Sequence, residues 1–582
     1  MLPTFKFARP TLSANLLLSL VAAYLVIFAN ARFWSIAFAA GADLGWRAAG
    51  VTAALAAALF SLTLLMLLPL GMRWVLKPGL VLVLLLSAGA AHFIGDFGAV
   101  IDRHALASVY ETDAREAGEW LSLRMFGTLF LLGVLPALAV CWTKVEWRSF
   151  LRETLSRAKL AVGAFLLLGL AALTFGKDVA SLVRNHMELR HIANPFALLA
   201  AQLSYMDHAR NDNRPLKRIG TDAARGTALP AGRRPLVLTL VIGESARAAS
   251  LDLNGYERDT DVSLHPLPIV NFANVQSCGT NTATSVPCMF SGLGRKTYDD
   301  SVAKRRENLL DVLMRGGYDV IWLDNNTGSK GLAKRAKETH VGDIADPSAC
   351  GAEGCYDEAL LIELRKRLPT VRRDTVIVVH LLGSHGPAYY TRYPERFAAF
   401  RPECRTNELQ RCSDLQIRNT YDNTILYTSY ILSGVIGALG EHRVPPADAP
   451  VACFARRGHS ATPTLGECPA PPAAKRAEAA VQAPFDAAML YVSDHGESLG
   501  EHGLYLHGAP YAIAPSEQTH VPMVFWTSDA FAARRKLDTD CLRRRADAEL
   551  SHDHFFHSVL GLADVSTRER RAELDLFAPC IR

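Results

Sequence analysis

VSDHGESLGEHGLYLHG, residues 492–508, begins on the last residue of the apolar run AAMLYV. Together they read as a buried strand that ends in Ser493, Asp494 and His495. In open α/β sheets, ligands bind just outside the carboxyl ends of the strands. A carboxylate beside an imidazole at such an end is a ligand pair for a zinc-type ion.

Other runs fit the same sheet. Buried-strand patterns recur at 235–242, 318–324, 374–382, 487–493 and 521–527. Helical patterns at 305–315, 356–367 and 418–439 separate them. Continuous apolar strands alternating with helices predict an α/β domain, with a mostly parallel sheet covered by helices on both faces. Four strands end in polar residues: Gly243-Glu244-Ser245, Asp324-Asn325-Asn326, Gly383-Ser384-His385-Gly386 and Ser493-Asp494-His495-Gly496-Glu497. One sheet gathers them on one edge.

Glu244, Asp494 and His495 then form a site of two carboxylates and one imidazole. A catalytic zinc takes three protein ligands and keeps one position open. Calcium wants more oxygens and no histidine. Any one of these acids alone reads more simply as a helix cap. Their convergence is what points to a metal. The segment SCGTNTATSVPCMFSG, 277–292, adds hydroxyls where a loop turns into a helix. A helix N-terminus binds phosphate, and a metal-bound hydroxyl loses its proton readily. The plain alternative is that these hydroxyls only cap the helix. Residue chemistry alone leaves Thr280, Thr282 and Thr284 equivalent as nucleophiles.

The 582-residue chain is divided in composition. Its first ~180 residues hold apolar runs near the length that spans a bilayer, at 12–30, 48–70, 79–99, 122–142 and 159–176. Five spans are expected. Lys6 and Arg9 mark the N-terminal tip, Arg73 and Lys77 the 71–78 loop, and Lys144, Arg148, Arg152, Arg157 and Lys159 the 143–159 loop. The 100–121 loop instead carries Asp102, Glu111, Asp113, Glu116 and Glu119. The basic excess places the N-terminus in the cytoplasm, and five spans deliver the rest to the far side. A cleaved signal ending at Ala29-Asn30-Ala31 is the rival reading of the first run. It leaves four spans and the same final side. The net charge of +5 comes with no basic stripe interleaved with aromatics, so nucleic-acid binding is not expected.

Cysteine usage agrees with export. Ten of eleven cysteines follow residue 270. An even count in an exported domain suggests disulfides. Local spacing proposes Cys278 with Cys288, Cys350 with Cys355, Cys404 with Cys412 and Cys453 with Cys468, which leaves Cys541 with Cys580. Cys141 stays reduced. Three regions follow: 1–180 as a transmembrane domain, 181–234 as bridging helices and linker, and 235–582 as a catalytic domain with a surface insertion at 441–486.

GESARAASLDLNGYERDT (243–260), SCGTNTATSVPCMFS (277–291), GSHGPAYYTRYPERF (383–397), SDHGES (493–498) and YLHGAPYAIAPSEQTHVPM (505–523) carry a specific resemblance. In that order they resemble the phosphoethanolamine transferases that modify lipid A, including the mobile colistin-resistance enzymes. The resemblance implies an alkaline phosphatase/sulfatase-like periplasmic domain behind five spans, in a Gram-negative inner membrane. It implies Thr282 as nucleophile and Glu244, Thr282, Asp494 and His495 as ligands of one tight Zn²⁺, with further zinc near His385 and His507. It places the donor phosphate on Asn326, Lys330, His385 and His507, the two histidines also serving as acid or base. Glu116 and Ser108 are implied at the lipid substrate, Ser108 standing where relatives carry Asn. Glu497 receives no role.

The implied reaction is a ping-pong transfer from phosphatidylethanolamine to a lipid A phosphate, by a monomer. The alternatives are transfer to a lipopolysaccharide core sugar, a sulfatase- or phosphatase-like hydrolase, and a sensor without turnover.

Overall fold

A computed structural model of the chain describes residues 9–41, 45, 47–111, 114–186, 188–210, 215–226, 234–343, 349–351, 354–440 and 484–582. It forms two compact units. One comprises Met1–Val109, Trp120–Met206 and His502–Tyr505, the other Tyr110–Glu119, Asp207–Glu501 and Leu506–Arg582.

The first unit is helical. Among the described residues, four helices are long and apolar enough to cross a membrane: Arg47–Gly71, Leu76–Phe97, Leu123–Trp142 and Phe150–Asn185. The expected first span is instead a pair, Ala14–Phe28 and Ala31–Ala40, bent by 61°; counted as one span it makes five. The bend has a polar cause. Asn30 beside it donates to the Asn194 carbonyl at 2.7 Å and accepts the Asn194 amide at 2.9 Å. Asn194 also donates to the Ser87 carbonyl at 2.7 Å. Buried amides must find such partners where no water reaches.

The last span is a 36-residue helix, far longer than the apolar run at 159–176. Its outer face leaves Phe165, Leu166, Leu170 and Leu173 exposed, which suits lipid. Thr11–Ser13 pairs in parallel with Lys144–Glu146, which joins the start of the first helix to the 143–159 loop.

The second unit is built on an eight-stranded sheet. Its strands are β1 (Leu236–Gly243), β2 (Val270–Gln276), β3 (Asp319–Asp324), β4 (Lys337–His340), β5 (Thr375–His380), β6 (Asp486–Ser493), β7 (His520–Thr527) and β8 (Leu550–Ser551). Their order is 8-2-7-6-1-5-3-4. Strand β7 is antiparallel to both neighbours, and the other pairings are parallel.

Every residue of β1, β5 and β6 is buried, as continuous apolar runs require. Alternation splits β1 between two cores: Leu236, Leu238, Leu240 and Ile242 face one, Val237 and Val241 the other. Helices α1 (Thr282–Ser291), α2 (Leu309–Arg315) and α5 (Asp553–Leu562) supply residues to the first core. Helices α3 (Glu358–Arg367) and α4 (Asp414–Leu439) supply the second. The result is the expected sheet between two helical layers.

The expected 210–234 linker holds structure as well. Ala224–Arg225 pairs with Val565–Ser566, and Ile219 is buried in the first core. Four of the five expected disulfides are formed: Cys278–Cys288, Cys350–Cys355, Cys404–Cys412 and Cys541–Cys580. Cys141 is free. Cys453–Cys468 and the 441–486 insertion up to residue 483 lie outside the described residues.

Non-reducing peptide mapping is expected to recover a Cys541–Cys580 peptide and a Cys141 thiol. The bridge closes a separation of 39 residues, so replacing both cysteines by serine should cost about 2–4 kcal/mol, read as a lower melting temperature. An unchanged melting temperature would show that the bridge adds nothing to the fold.

Candidate active site

Strand register assembles the site. Ser493, the last residue of β6, lies opposite Gly243, the last of β1. Glu244 and Asp494 therefore leave the sheet side by side, with His495 next along. All three are buried, at 1%, 0% and 0% exposure. Each offers one ligand atom, and these atoms lie within 4.8 Å of one another. His495 Nε2 is 3.3 Å from Glu244 Oε1 and 3.5 Å from Asp494 Oδ2.

Their surroundings aim them inward. His495 Nδ1 donates to the Gly496 carbonyl at 2.8 Å, which leaves Nε2 as the lone-pair nitrogen. Asp494 Oδ1 accepts the His495 amide at 2.7 Å and the Ser245 amide at 3.3 Å. Its Oδ2 is buried and accepts no hydrogen bond. Gly383 lets the loop after β5 close on this edge: at φ +53°, a Cβ there would meet the Glu244 carbonyl oxygen at 2.7 Å.

The charges are in conflict without a cation. Burial, and after it the charge of Glu244, push the Asp494 carboxyl up to about 6. Burial opposes charge on His495, but Asp494 and Glu244 outweigh it and raise the imidazole to about 10. Two carboxylates, one aimed imidazole and an orphaned oxygen fit a Zn²⁺-type ion.

Thr282 opens α1, whose N-terminus is capped by Asn281 accepting the Thr284 amide at 3.0 Å. The Thr282 hydroxyl donates to Glu244 Oε2 at 2.8 Å and lies 3.4 Å from His495 Nε2. The Thr280 hydroxyl donates elsewhere, to the Ala509 carbonyl at 2.6 Å. Of these two hydroxyls, Thr282 is the one brought to the carboxylates.

The expected phosphate-binding residues surround this group. Asn326 donates to Glu244 Oε2 at 3.0 Å and to the Leu381 carbonyl at 2.9 Å. Lys330, at φ +50°, donates to Thr327 Oγ1 at 2.7 Å. His385 and His507 have ring centroids 5.6 Å apart, and each offers a ligand atom within 4.8 Å of Glu244's. Ser108 belongs to the helical unit, and the Glu116 side chain lies outside the described residues.

Three supporting residues escaped the sequence reading. Fully buried Glu497 accepts His507 Nδ1 at 2.7 Å and the Tyr389 hydroxyl at 2.5 Å, so it holds the His507 ring. His552 accepts the Cys278 amide at Nδ1, 3.0 Å, and donates from Nε2 to the Ser493 carbonyl at 2.9 Å. Burial pushes it down to about 3, so it braces the Thr282 loop to β6 as a neutral ring. Asp324 accepts the amides of Asn326 and Gly328 at 2.9 and 3.0 Å, and pairs with His380 at 2.8 Å. Burial opposes its charge, but His380, His340 and Trp322 outweigh burial and hold it well below the usual carboxylate range. Of these, Asp324 and Glu497 had a legible signal, their places in the polar strand-end clusters, though not their roles.

Comparison with known proteins gives this arrangement its context. Residues 59–210 match the family model "Phosphoethanolamine transferase EptA/EptB", and residues 237–446 and 478–565 match "Sulfatase". The chain is 39% identical over 511 residues to phosphoethanolamine transferase EptA of Escherichia coli K12, covering 88% of this chain and 86% of that protein. It is 34% identical over 578 residues to phosphatidylethanolamine transferase Mcr-1 of Escherichia coli, covering 97% of each. Its structure is similar to the integral membrane lipooligosaccharide phosphoethanolamine transferase A of Neisseria meningitidis, with a TM-score of 0.87 and 34% identity over 98% of this chain and all of that one. With both units matched and the strand-end site in place, the chain is a membrane protein that belongs to the phosphoethanolamine transferase family.

Proposed function

We propose that this protein transfers phosphoethanolamine from phosphatidylethanolamine to a lipid A phosphate, in two steps through Thr282. The observation that carries this reading is the Thr282 hydroxyl, at a helix N-terminus, 2.8 Å from Glu244 and beside His495. Glu244, Thr282, Asp494 and His495 would hold a Zn²⁺ ion. That ion supplies Lewis acidity, which eases loss of the hydroxyl proton and neutralises phosphate charge.

Thr282 Oγ1 attacks phosphorus, and the bond from phosphorus to the glycerol oxygen breaks. Diacylglycerol leaves with a proton, and phosphoethanolamine stays on Thr282. An oxygen of the acceptor phosphate then attacks the same phosphorus and frees Thr282. The N-terminus of α1 presents backbone N–H groups to the phosphoryl oxygens. Lys330 adds a positive charge to the group that binds the phosphate. Glu497 fixes the proton of His507 on Nδ1, which leaves Nε2 to take or return a proton. His385 beside it shares that role.

Both lipids are confined to a surface, so five spans with the catalytic unit in the periplasm and the N-terminus in the cytoplasm suit the reaction. The names of two more distant relatives, at 25% identity, are "Kdo(2)-lipid A phosphoethanolamine 7''-transferase". A core-sugar acceptor is therefore the outcome to test against.

Mass spectrometry of the purified protein is expected to show phosphoethanolamine on Thr282. Thr282→Ala should lose the adduct and Thr280→Ala keep it. An adduct that survives Thr282→Ala would remove Thr282 as nucleophile.

Asp494→Ala and His495→Ala should each cost at least ~100-fold in turnover together with bound zinc, because each removes one of only four protein ligands. Parallel activity assays and metal analysis check this; full activity in either variant sinks the metal assignment.

Expression in a polymyxin-sensitive Gram-negative host should add phosphoethanolamine mass to lipid A and raise resistance, because an added ammonium offsets phosphate charge. Mass gained only on core oligosaccharide would move the acceptor to a sugar.

A further inference from the structure

Asp252, Asp261 and His265 form a separate cluster in the segment between β1 and β2, apart from the residues used above. Each offers one ligand atom, and these atoms lie within 4.8 Å of one another. His265 Nε2 is 2.9 Å from Asp252 Oδ1 and 3.6 Å from Asp261 Oδ1. Asp261 is 1% exposed. Its Oδ2 accepts the Leu253 amide at 3.2 Å, but its Oδ1, the atom turned to His265, accepts no hydrogen bond. Asp252 Oδ2 is likewise buried without a hydrogen-bond partner.

A proton cannot satisfy this cluster. The single N–H of His265 Nε2 reaches one carboxylate, Asp252, and leaves Asp261 Oδ1 beyond hydrogen-bond length. A buried acceptor without a partner costs about 1–3 kcal/mol, and more when charged. A divalent cation would satisfy both carboxylates and the imidazole lone pair at once. His265 is about half exposed, so the site opens to solvent on its side.

We propose that Asp252, Asp261 and His265 form a second metal site, with three protein ligands and a solvent-facing position, that takes a Zn²⁺-type ion. Two carboxylate oxygens and one imidazole suit zinc, whereas Ca²⁺ and Mg²⁺ want more oxygens and no nitrogen. The ligands lie within 14 residues of chain, so little entropy is spent in bringing them together. The ion acts as a clip. It ties both ends of a segment in which Tyr256 and Arg258 grip Asp422 of α4, at 2.9 and 2.7 Å.

The test is a difference in metal content. Full-length protein in detergent is stripped with a chelator and equilibrated with buffered low-micromolar Zn²⁺, and zinc per chain is measured by mass spectrometry. His265→Ala and Asp261→Asn should each hold about one zinc fewer than the parent. His265→Ala should keep its lipid-transfer activity, and Zn²⁺ should raise its melting temperature less than the parent's. Millimolar Ca²⁺ or Mg²⁺ should leave the extra zinc in place.

Equal zinc in the parent and His265→Ala would overturn the proposal and leave a histidine–aspartate ion pair. Displacement by Ca²⁺ would overturn the zinc-type assignment. Half-exposed His265 carries the test should the buried Asp261 variant fail to fold. Because the readout is a difference, zinc at Glu244, Asp494 and His495 cancels from it.

Discussion

Two carboxylates leave a dry sheet edge side by side because Ser493 is in register with Gly243. Like charges ~4 Å apart repel by about 4 kcal/mol at an effective dielectric of ~20. Burial adds to that cost, and the raised Asp494 carboxyl records both effects. Such a pair persists in a fold when positive charge sits beside it or when the two carboxyls share a proton. The ring of His495 and the approach of Thr282 follow from this conflict. A hydroxyl brought here donates its proton to a carboxylate, and a cation brought here eases that proton's loss. Strand register and the placement of the Thr282 hydroxyl are thus one constraint seen at two scales.

The conflict is held in place from behind. Neutral His552 joins the Thr282 loop to the end of β6, so neither can drift from the other. Glu497 and Tyr389 fix His507 on the opposite flank. Asp324 orders the turn that carries Asn326, with His380 as its counter-charge inside the sheet. Removing one member of such a buried pair typically costs 3–5 kcal/mol, because the other charge is left uncompensated. Ser245 and Lys330, both at positive φ, sit within the same shell. Strained backbone survives where surrounding contacts over-determine it, and these contacts do.

The central sheet was legible because β1, β3, β5, β6 and β7 are near-continuous apolar runs. Strand β2 was not: VNFANVQ carries two asparagines and is only partly buried, so its hydrophobic signal is broken. Strands β4 and β8 are four and two residues long, too short for any period to register. The cluster of Glu244, Asp494 and His495 was legible because adjacency in sequence and position at strand ends both survive in the primary structure. The choice among Thr280, Thr282 and Thr284 was left to the resemblance, since Thr280 is set apart only by the distant Ala509 carbonyl. Glu497 was visible as a residue and opaque in role, since Tyr389 lies 108 positions earlier. In the helical unit, the bend between Phe28 and Ala31 rests on Asn194, which no local pattern near residue 30 announces.

The Cys278–Cys288 bridge encloses Thr282 in a small covalent ring. Disulfides persist in oxidising compartments and are reduced in the cytosol. The loop that presents Thr282 therefore gains its covalent closure only after the chain has left the compartment where it is made. Before that point the Thr282 hydroxyl and the helix start lack this covalent strap. The bridge works as a clock for maturation. Covalent closure around Thr282 thus belongs to the oxidising side alone.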